Sequence, residues 1–154
     1  MTATGERSLV LDRLLRAPRA AIFRCLTEPA LLSRWFAPHP HTITRAELDV
    51  APGGAAFIVM KLEGGEEMPL HFTYLEVVRD QKLVFTDAFT SAWEPSAKAF
   101  MAVTITLDDE GASTRYVARA AHWTAEDRKA HEDMGFHEGW GLCASQLEVL
   151  AAGL

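Results

Sequence analysis

The side chains in this sequence best suited to chemistry are its histidines. There are six, and imidazole is the group whose ordinary pKa lets it trade protons near neutral pH. His71, His122 and His137 lie within strand-like or helical patterns, with Arg119 and Glu138 available as charged partners. Any of the three could serve as a general acid or base. The plainer reading is a satisfied structural or surface histidine, because no nucleophile or second carboxylate is placed beside one by the sequence. His39 and His41 flank Pro40. On a strand such a pair points one way, but without a third ligand of suitable spacing it is weak grounds for a metal site. Asp108-Asp109-Glu110 reads as a solvated turn. Zinc-ligand, phosphate-loop, dinucleotide-loop and nucleophile-elbow motifs are all missing, so no metal or other cofactor is expected.

A second group of residues is large, soft and mostly apolar: Met60, Met68, Tyr74, Phe85, Trp93, Met101, Phe136 and Trp140. Methionine adapts to irregular shapes, and a ligand pocket needs an apolar lining with a few polar groups. With His71 and His122 these residues form the candidate ligand-binding set. The competing reading is ordinary core, which is what most apolar stripes are. Cys25 and Cys143 each sit in an apolar helical pattern and read as small buried hydrophobes.

The elements that would position these groups follow from periodicity. Ser8–Leu15 reads as a strand, followed by a helical hairpin over Ala20–Leu26 and a short second helix through Leu31, Leu32 and Trp35. Pro38 and Pro40 end that hairpin. Strands are expected over Thr42–Val50, Ala55–Glu63, Pro69–Val78, Lys82–Asp87, Ala99–Leu107 and Ser113–His122, separated by Gly, Pro and Asp turn signals. Ala88–Lys98 is irregular. At the C-terminus Phe136, Trp140, Cys143, Leu147 and Leu150 form one helical stripe. Thr124 suits an N-cap. Gly135, Gly139 and Gly141 interrupt the stripe and are expected to mark a helix start and close backbone approaches. Consecutive strands joined by short turns make an antiparallel sheet, and one of about seven strands is expected to curl. The architecture is therefore α+β, a curved sheet wrapped around a long C-terminal helix, in one domain over residues 1–154.

The bulk composition restricts partners. With 49% hydrophobic and 23% charged residues the chain is ordinary for a globular protein, and a net charge of −6 argues against nucleic acid or an acidic membrane surface as partner. No apolar run reaches bilayer-spanning length. The first residues lack a signal-peptide core, so cytoplasmic residence is the expectation.

Several ordered pieces resemble a known family. Ala17-Pro18 with Phe23, Thr27-Glu28-Pro29 with Leu32, Arg34-Trp35-Phe36-Ala37-Pro38, Pro52-Gly53-Gly54, Val103–Leu107, Thr114 and Gly135-Phe136 with Gly139-Trp140 are similar, in order, to the SRPBCC superfamily. Within it they resemble the branch named for the activator of the heat-shock protein 90 ATPase. The resemblance implies a helix-grip fold with a cavity between sheet and helix. It brings three functional expectations. The first is binding of a small apolar molecule, lipid- or polyketide-like, which calls for a cavity larger than packing voids. The second is a chaperone as partner. The third is polyketide cyclase- or hydrolase-like chemistry, which needs at least two polar groups converging in the cavity. A homodimer through edge strands or the sheet's outer face is an arrangement this fold would allow. Trp35 is expected to anchor the short helix against the end of the sheet.

Overall fold

In a computed structural model describing residues 6–154, β1 (Ser8–Leu15) leads into helices α1 (Arg19–Thr27) and α2 (Pro29–Leu32). Strands β2 (Thr42–Leu48), β3 (Ala55–Lys61), β4 (Glu67–Val78) and β5 (Lys82–Thr86) follow. A small hairpin, β6 (Phe89–Ser91) and β7 (Glu94–Pro95), precedes β8 (Met101–Glu110) and β9 (Ser113–His122). The chain closes with α3 (Ala125–Asp133) and α4 (Phe136–Ala152). Seven strands form one antiparallel sheet in the order β1-β9-β8-β5-β4-β3-β2. The helix-grip architecture is present, with the helical hairpin directly after β1.

Alternation divides the sheet into two faces. Leu9 and Leu11, Ala118 and Ala120, Val103, Ile105 and Leu107, Leu83 and Phe85, Phe72 and Tyr74, and Ala56 and Ile58 are all buried on one side. Register shifts at Ile43/Arg45 and Tyr74/Glu76 add extra residues to β2 and β4, and such bulges bend a strand and increase its twist. The helices cover this concave face. α4 packs on β1 and α1, α1 reaches β8, α2 reaches β2, and α3 lies on β9 and β1. Leu147 and Phe136 on α4 are almost wholly buried, each worth about 1.5–3 kcal/mol in burial.

Hydrogen bonds latch the two helical units together. The Trp35 indole donates to the Cys25 carbonyl at 2.8 Å, fixing α2 against α1. From α4, the Gln146 amide donates to the carbonyls of Trp35 at 3.0 Å and Ala37 at 2.9 Å, and accepts from the His39 N–H at 3.1 Å. The Thr114 hydroxyl donates to the Ala17 carbonyl at 2.7 Å, tying β9 to the turn that opens α1. Trp35 therefore anchors the short helix, but against α1 rather than against the end of the sheet as expected. Cys25 and Cys143 are free and buried, and burial pushes their thiols up to about 11 and about 12.

Two expectations shift in detail. β8 begins at Met101 rather than Ala99, because the Asp87 carboxylate accepts from the N–H groups of both Phe100 and Met101 at the strand entrance. It then runs to Glu110, pairing with Ser113 at the hairpin end. The irregular stretch Ala88–Lys98 holds the β6–β7 hairpin.

The final helix is divided. Thr124 caps α3, accepting from the Asp127 N–H at 3.0 Å. Gly135, with φ of 96°, separates α3 from α4. At Gly141 a β-carbon would lie 2.6 Å from a nitrogen of the Arg13 guanidinium, so what comes close there is the tip of a long side chain from β1 rather than a neighbouring backbone. Gly139 departs from the expectation: nothing lies within 4 Å of where its β-carbon would be. It weakens the helix without serving a contact. Gly139→Ala is therefore expected to raise unfolding free energy by about 0.5–1 kcal/mol. Gly135→Ala is expected to lower it by about 1–2 kcal/mol, from the left-handed strain at that joint. Urea unfolding of the two variants checks the opposite signs.

Candidate functional site

The concave space has two parts, an apolar floor and an aromatic end. The floor lies between the helical hairpin, through Leu26, Leu32 and Phe36, and the inner faces of β3, β4, β5 and β8, through Ala56, Ile58, Phe72, Tyr74, Leu83, Phe85 and Ile105. Its cavity is about 20 Å³, room for roughly one water. The expectation of a cavity larger than packing voids is not met in this state. Phe72 and Phe85 meet edge to face with centroids 5.2 Å apart. Burial, with the Asp49 charge adding to it, pushes the Tyr74 phenol up to about 12, so it is a neutral hydroxyl at any working pH.

Beyond this floor the lining loosens. Met60 pairs with Met68, and Ile58 with Leu70, on the same face as buried Phe72. Met60, Leu70 and Ile43 are only half-buried, and Met68 is 42% exposed. The β4 residues before Thr73 extend past the end of β5, whose last paired residue is Thr86. They form an apolar rim at the open edge of the concave face.

The aromatic end is built around two histidines. The His122 Nδ1 lies 2.8 Å from the Arg7 carbonyl oxygen, and its Nε2 lies 2.9 Å from the His131 Nδ1. A carbonyl can only accept, so the His122 Nδ1 carries its proton and its Nε2 is bare. The His131 Nδ1–H therefore donates to that bare nitrogen. One chain of hydrogen bonds thus joins the start of β1, the end of β9 and α3. Around His131 stand Phe100, Phe136 and Trp140, with ring centroids 5.2, 5.1 and 5.7 Å away. Met101 pairs with His122 across β8 and β9 and is half-buried beside this cluster.

The sequence-derived set therefore separates. Tyr74 and Phe85 line the apolar floor, Met60 and Met68 the rim, and Met101, His122, Phe136 and Trp140 the aromatic end. His71 does not belong with them. It lies on the outer face, stacked on Phe57 at 4.7 Å, with Arg45 on the Phe57 ring; the strand's parity sends it away from its neighbour Phe72. Trp93 is also elsewhere. It is 65% exposed at the tip of the β6–β7 hairpin, edge to face with Phe89, and Thr73 fastens that hairpin to the outer side of β4. His137 is exposed and faces Glu132 at 3.7 Å rather than Glu138. Arg119 lies on the outer face.

His131 escaped sequence reasoning because it sits in a charged helical stretch, Glu126–Asp133, with no apolar pattern around it. Its distance of nine residues from His122 was the available signal. The pair brings two polar groups together, but neither lines the apolar floor, so the convergence of polar groups in the cavity that an enzymatic reading requires is not met. Among the described residues no carboxylate or nucleophile hydrogen-bonds to either ring, and both inner protons are committed. Among the described residues no three His, Cys, Asp or Glu side chains converge as metal ligands. His41 accepts instead from the Glu63 N–H at 3.1 Å. Asp108-Asp109-Glu110 is the end of β8 rather than a turn, with Asp109 paired to Arg19 and Glu110 to Arg115.

The pair makes stability pH-dependent. Burial, reinforced by His122, lowers His131 from 6.5 to about 4. The folded protein thus refuses a proton that the unfolded chain takes up, and stability falls as pH drops from about 6.5 to about 4. The ion-paired Glu28, Glu110 and Glu148 lie below their ordinary 4.5, so their contribution is lost at still lower pH. Urea midpoints are expected to fall as pH is lowered from about 6.5 to about 4.5 in the parent and to be nearly flat over that interval in His131→Phe. An equal slope in both would contradict the assignment.

Comparisons with known proteins agree with this architecture. A crystal structure from Nitrosomonas europaea superposes with a TM-score of 0.92 at 41% identity, over 94% of each chain. A protein from Mycobacterium smegmatis matches at 0.80 and 21% identity, covering 96% of this chain and 91% of the other, and one from Chromobacterium violaceum at 0.76 and 22%, covering 93% and 96%. The last two show the fold alone. No curated protein matches. The sequence profile described as "Activator of Hsp90 ATPase homolog 1-like protein" matches residues 16–152, nearly the whole chain from the end of β1 through α4, and the protein belongs to that family.

Proposed function

We propose that the protein binds a small apolar molecule between the concave face of the sheet and its helices, entering at the Met60–Met68 rim. The observation that carries this is the rim itself. Ile43, Met60, Met68 and Leu70 continue the buried face of the sheet outward, the first, second and fourth only half-buried and Met68 exposed. Leaving them open costs burial that an apolar ligand would recover, at roughly 25 cal/mol per Å². The floor behind them is apolar, with one neutral phenol, Tyr74, as a polar handle. Membership of the family supports a ligand-binding use of this fold.

The small volume of the floor sets the manner of binding. A ligand cannot simply occupy about 20 Å³; it must displace side chains. Phe36 and the methionines are the candidates to move, being half-buried and, for methionine, unbranched. The ligand stabilises an opened arrangement, and the cost of opening comes out of its affinity. The family description also brings a chaperone-activator reading, which a chaperone ATPase assay on the same preparation keeps separate. No helix among the described residues is long and apolar enough to cross a membrane.

The test uses N-phenyl-1-naphthylamine, a fluorophore that brightens in apolar surroundings. Saturable binding at one site is expected. Ala56→Leu, which fills the floor, should weaken it by about tenfold, and Met68→Ala by a few-fold from lost rim contact. Circular dichroism confirms that both variants fold. Binding that is unsaturable, or unchanged in both variants, would remove this reading.

A further inference from the structure

The sheet's outer face carries a depression unrelated to the concave space. Its floor is one row across three strands: Ser8, Ala121 and Ala102 are register neighbours on β1, β9 and β8. They alternate with buried Leu9, Ala120 and Val103 and so face away from the helices. Because these are among the smallest side chains, the row leaves a hollow of about 230 Å³, open to solvent. Its walls are Arg119, Arg7 and Trp123, and His122, between Ala121 and Trp123 in the chain, also borders it. Arg119 lies two residues before Ala121 on the same face. Arg7 leans on the Trp123 carbonyl through a long hydrogen bond of 3.5 Å, and the Trp123 side chain is half exposed.

Three properties of this hollow point to a ligand. First, among the described residues both charged side chains lining it are arginines and none is acidic, in a chain whose net charge is −6. Among the described residues Arg119, like Arg13, Arg34 and Arg79, makes no ion pair and no side-chain hydrogen bond, whereas Arg16, Arg19, Arg24, Arg45, Arg115 and Arg128 are paired with carboxylates; of the four, Arg119 is the one that lines this hollow. Second, the Ser8 hydroxyl in the floor is buried without a hydrogen-bond partner, and such groups are rare enough in native proteins to need an explanation. Third, an exposed indole beside a flat alanine floor offers a planar group a face to stack on.

We propose that this hollow binds a small aromatic acid, its carboxylate held by the Arg119 guanidinium and its ring lying over Ala102 and Ala121 against Trp123. Guanidinium matches a carboxylate in plane and in donor spacing. The ring fills the hollow that the alanines leave. The site is independent of the apolar one, since the strands' parity puts them on opposite faces.

The experiment is an amide NMR titration of the intact chain with benzoate, with inorganic phosphate and benzyl alcohol as the two partial ligands. Benzoate is expected to shift Ala102, Ala121 and the Trp123 indole, leaving Tyr74 and Phe85 unmoved. Arg119→Gln should weaken binding by about tenfold, the scale of one charge-assisted hydrogen bond. Ala121→Leu should abolish it by filling the floor. Both changes lie on the solvent side of the sheet, and the dispersion of the remaining amides reports that each variant folds. Shifts confined to the concave residues, or affinity unaltered by Arg119→Gln, would overturn the proposal. So would an equal response to phosphate, which reduces the hollow to a generic basic patch, or an equal response to benzyl alcohol.

Discussion

The concave face of the sheet must be covered, and the rest of the molecule is arranged around that requirement. Alternation places an unbroken apolar surface from Leu9 on β1 to Ile58 on β3, and no strand can shield it. Two separate helical units do so, the α1–α2 hairpin and α4. They come from opposite ends of the chain, so their relation has to be fixed by tertiary bonds. Gln146 and Trp35 supply these, joining α4 to the segment after α2 and α2 to α1. Buried bonds of this kind are individually worth only about 1 kcal/mol net. Their effect is to fix geometry: with the helices latched at the β1 side, the β2–β4 side keeps an apolar rim.

That asymmetry separates packing from function. At the β1 side the interior is closed, with Phe136 and Leu147 fully buried and the His122–His131 pair drawn into an aromatic cage. The pair shows how a polar group is tolerated there. Each inner nitrogen has a defined partner, and the protonated form is penalised by burial. On the opposite side Met60 and Met68 stay partly exposed, and the void behind them is small. A binding site there would be made by displacement of side chains.

Much of this was legible in the sequence. Periodicity located all seven sheet strands, and Gly135 was recognisable as a break because it interrupts a helical stripe directly before Phe136. Trp35 was recognisable from the ordered family pieces around it. What periodicity did not resolve was facing. His71 and Phe72 are adjacent, and only the pairing register with Phe57 and Ala56 assigns one to solvent and the other to the core. Trp93 could not be placed because the β6–β7 hairpin is positioned by tertiary contacts, among them the bond from Thr73 and the approach of Ala92 and Trp93 to Gly53. His131 was hidden in a charged helix whose inner side is defined only by what it packs against. The outer hollow is legible only once Ser8, Ala102 and Ala121 are aligned, since they lie far apart in the chain.

The central claim is that the concave space takes up an apolar molecule by opening at its rim. Native mass spectrometry of the protein purified from its own source addresses it most directly. The account predicts a population carrying one small-molecule adduct, which organic extraction releases and which is lost in Ala56→Leu. Bare protein mass in both forms, from gently handled cell material, would contradict it.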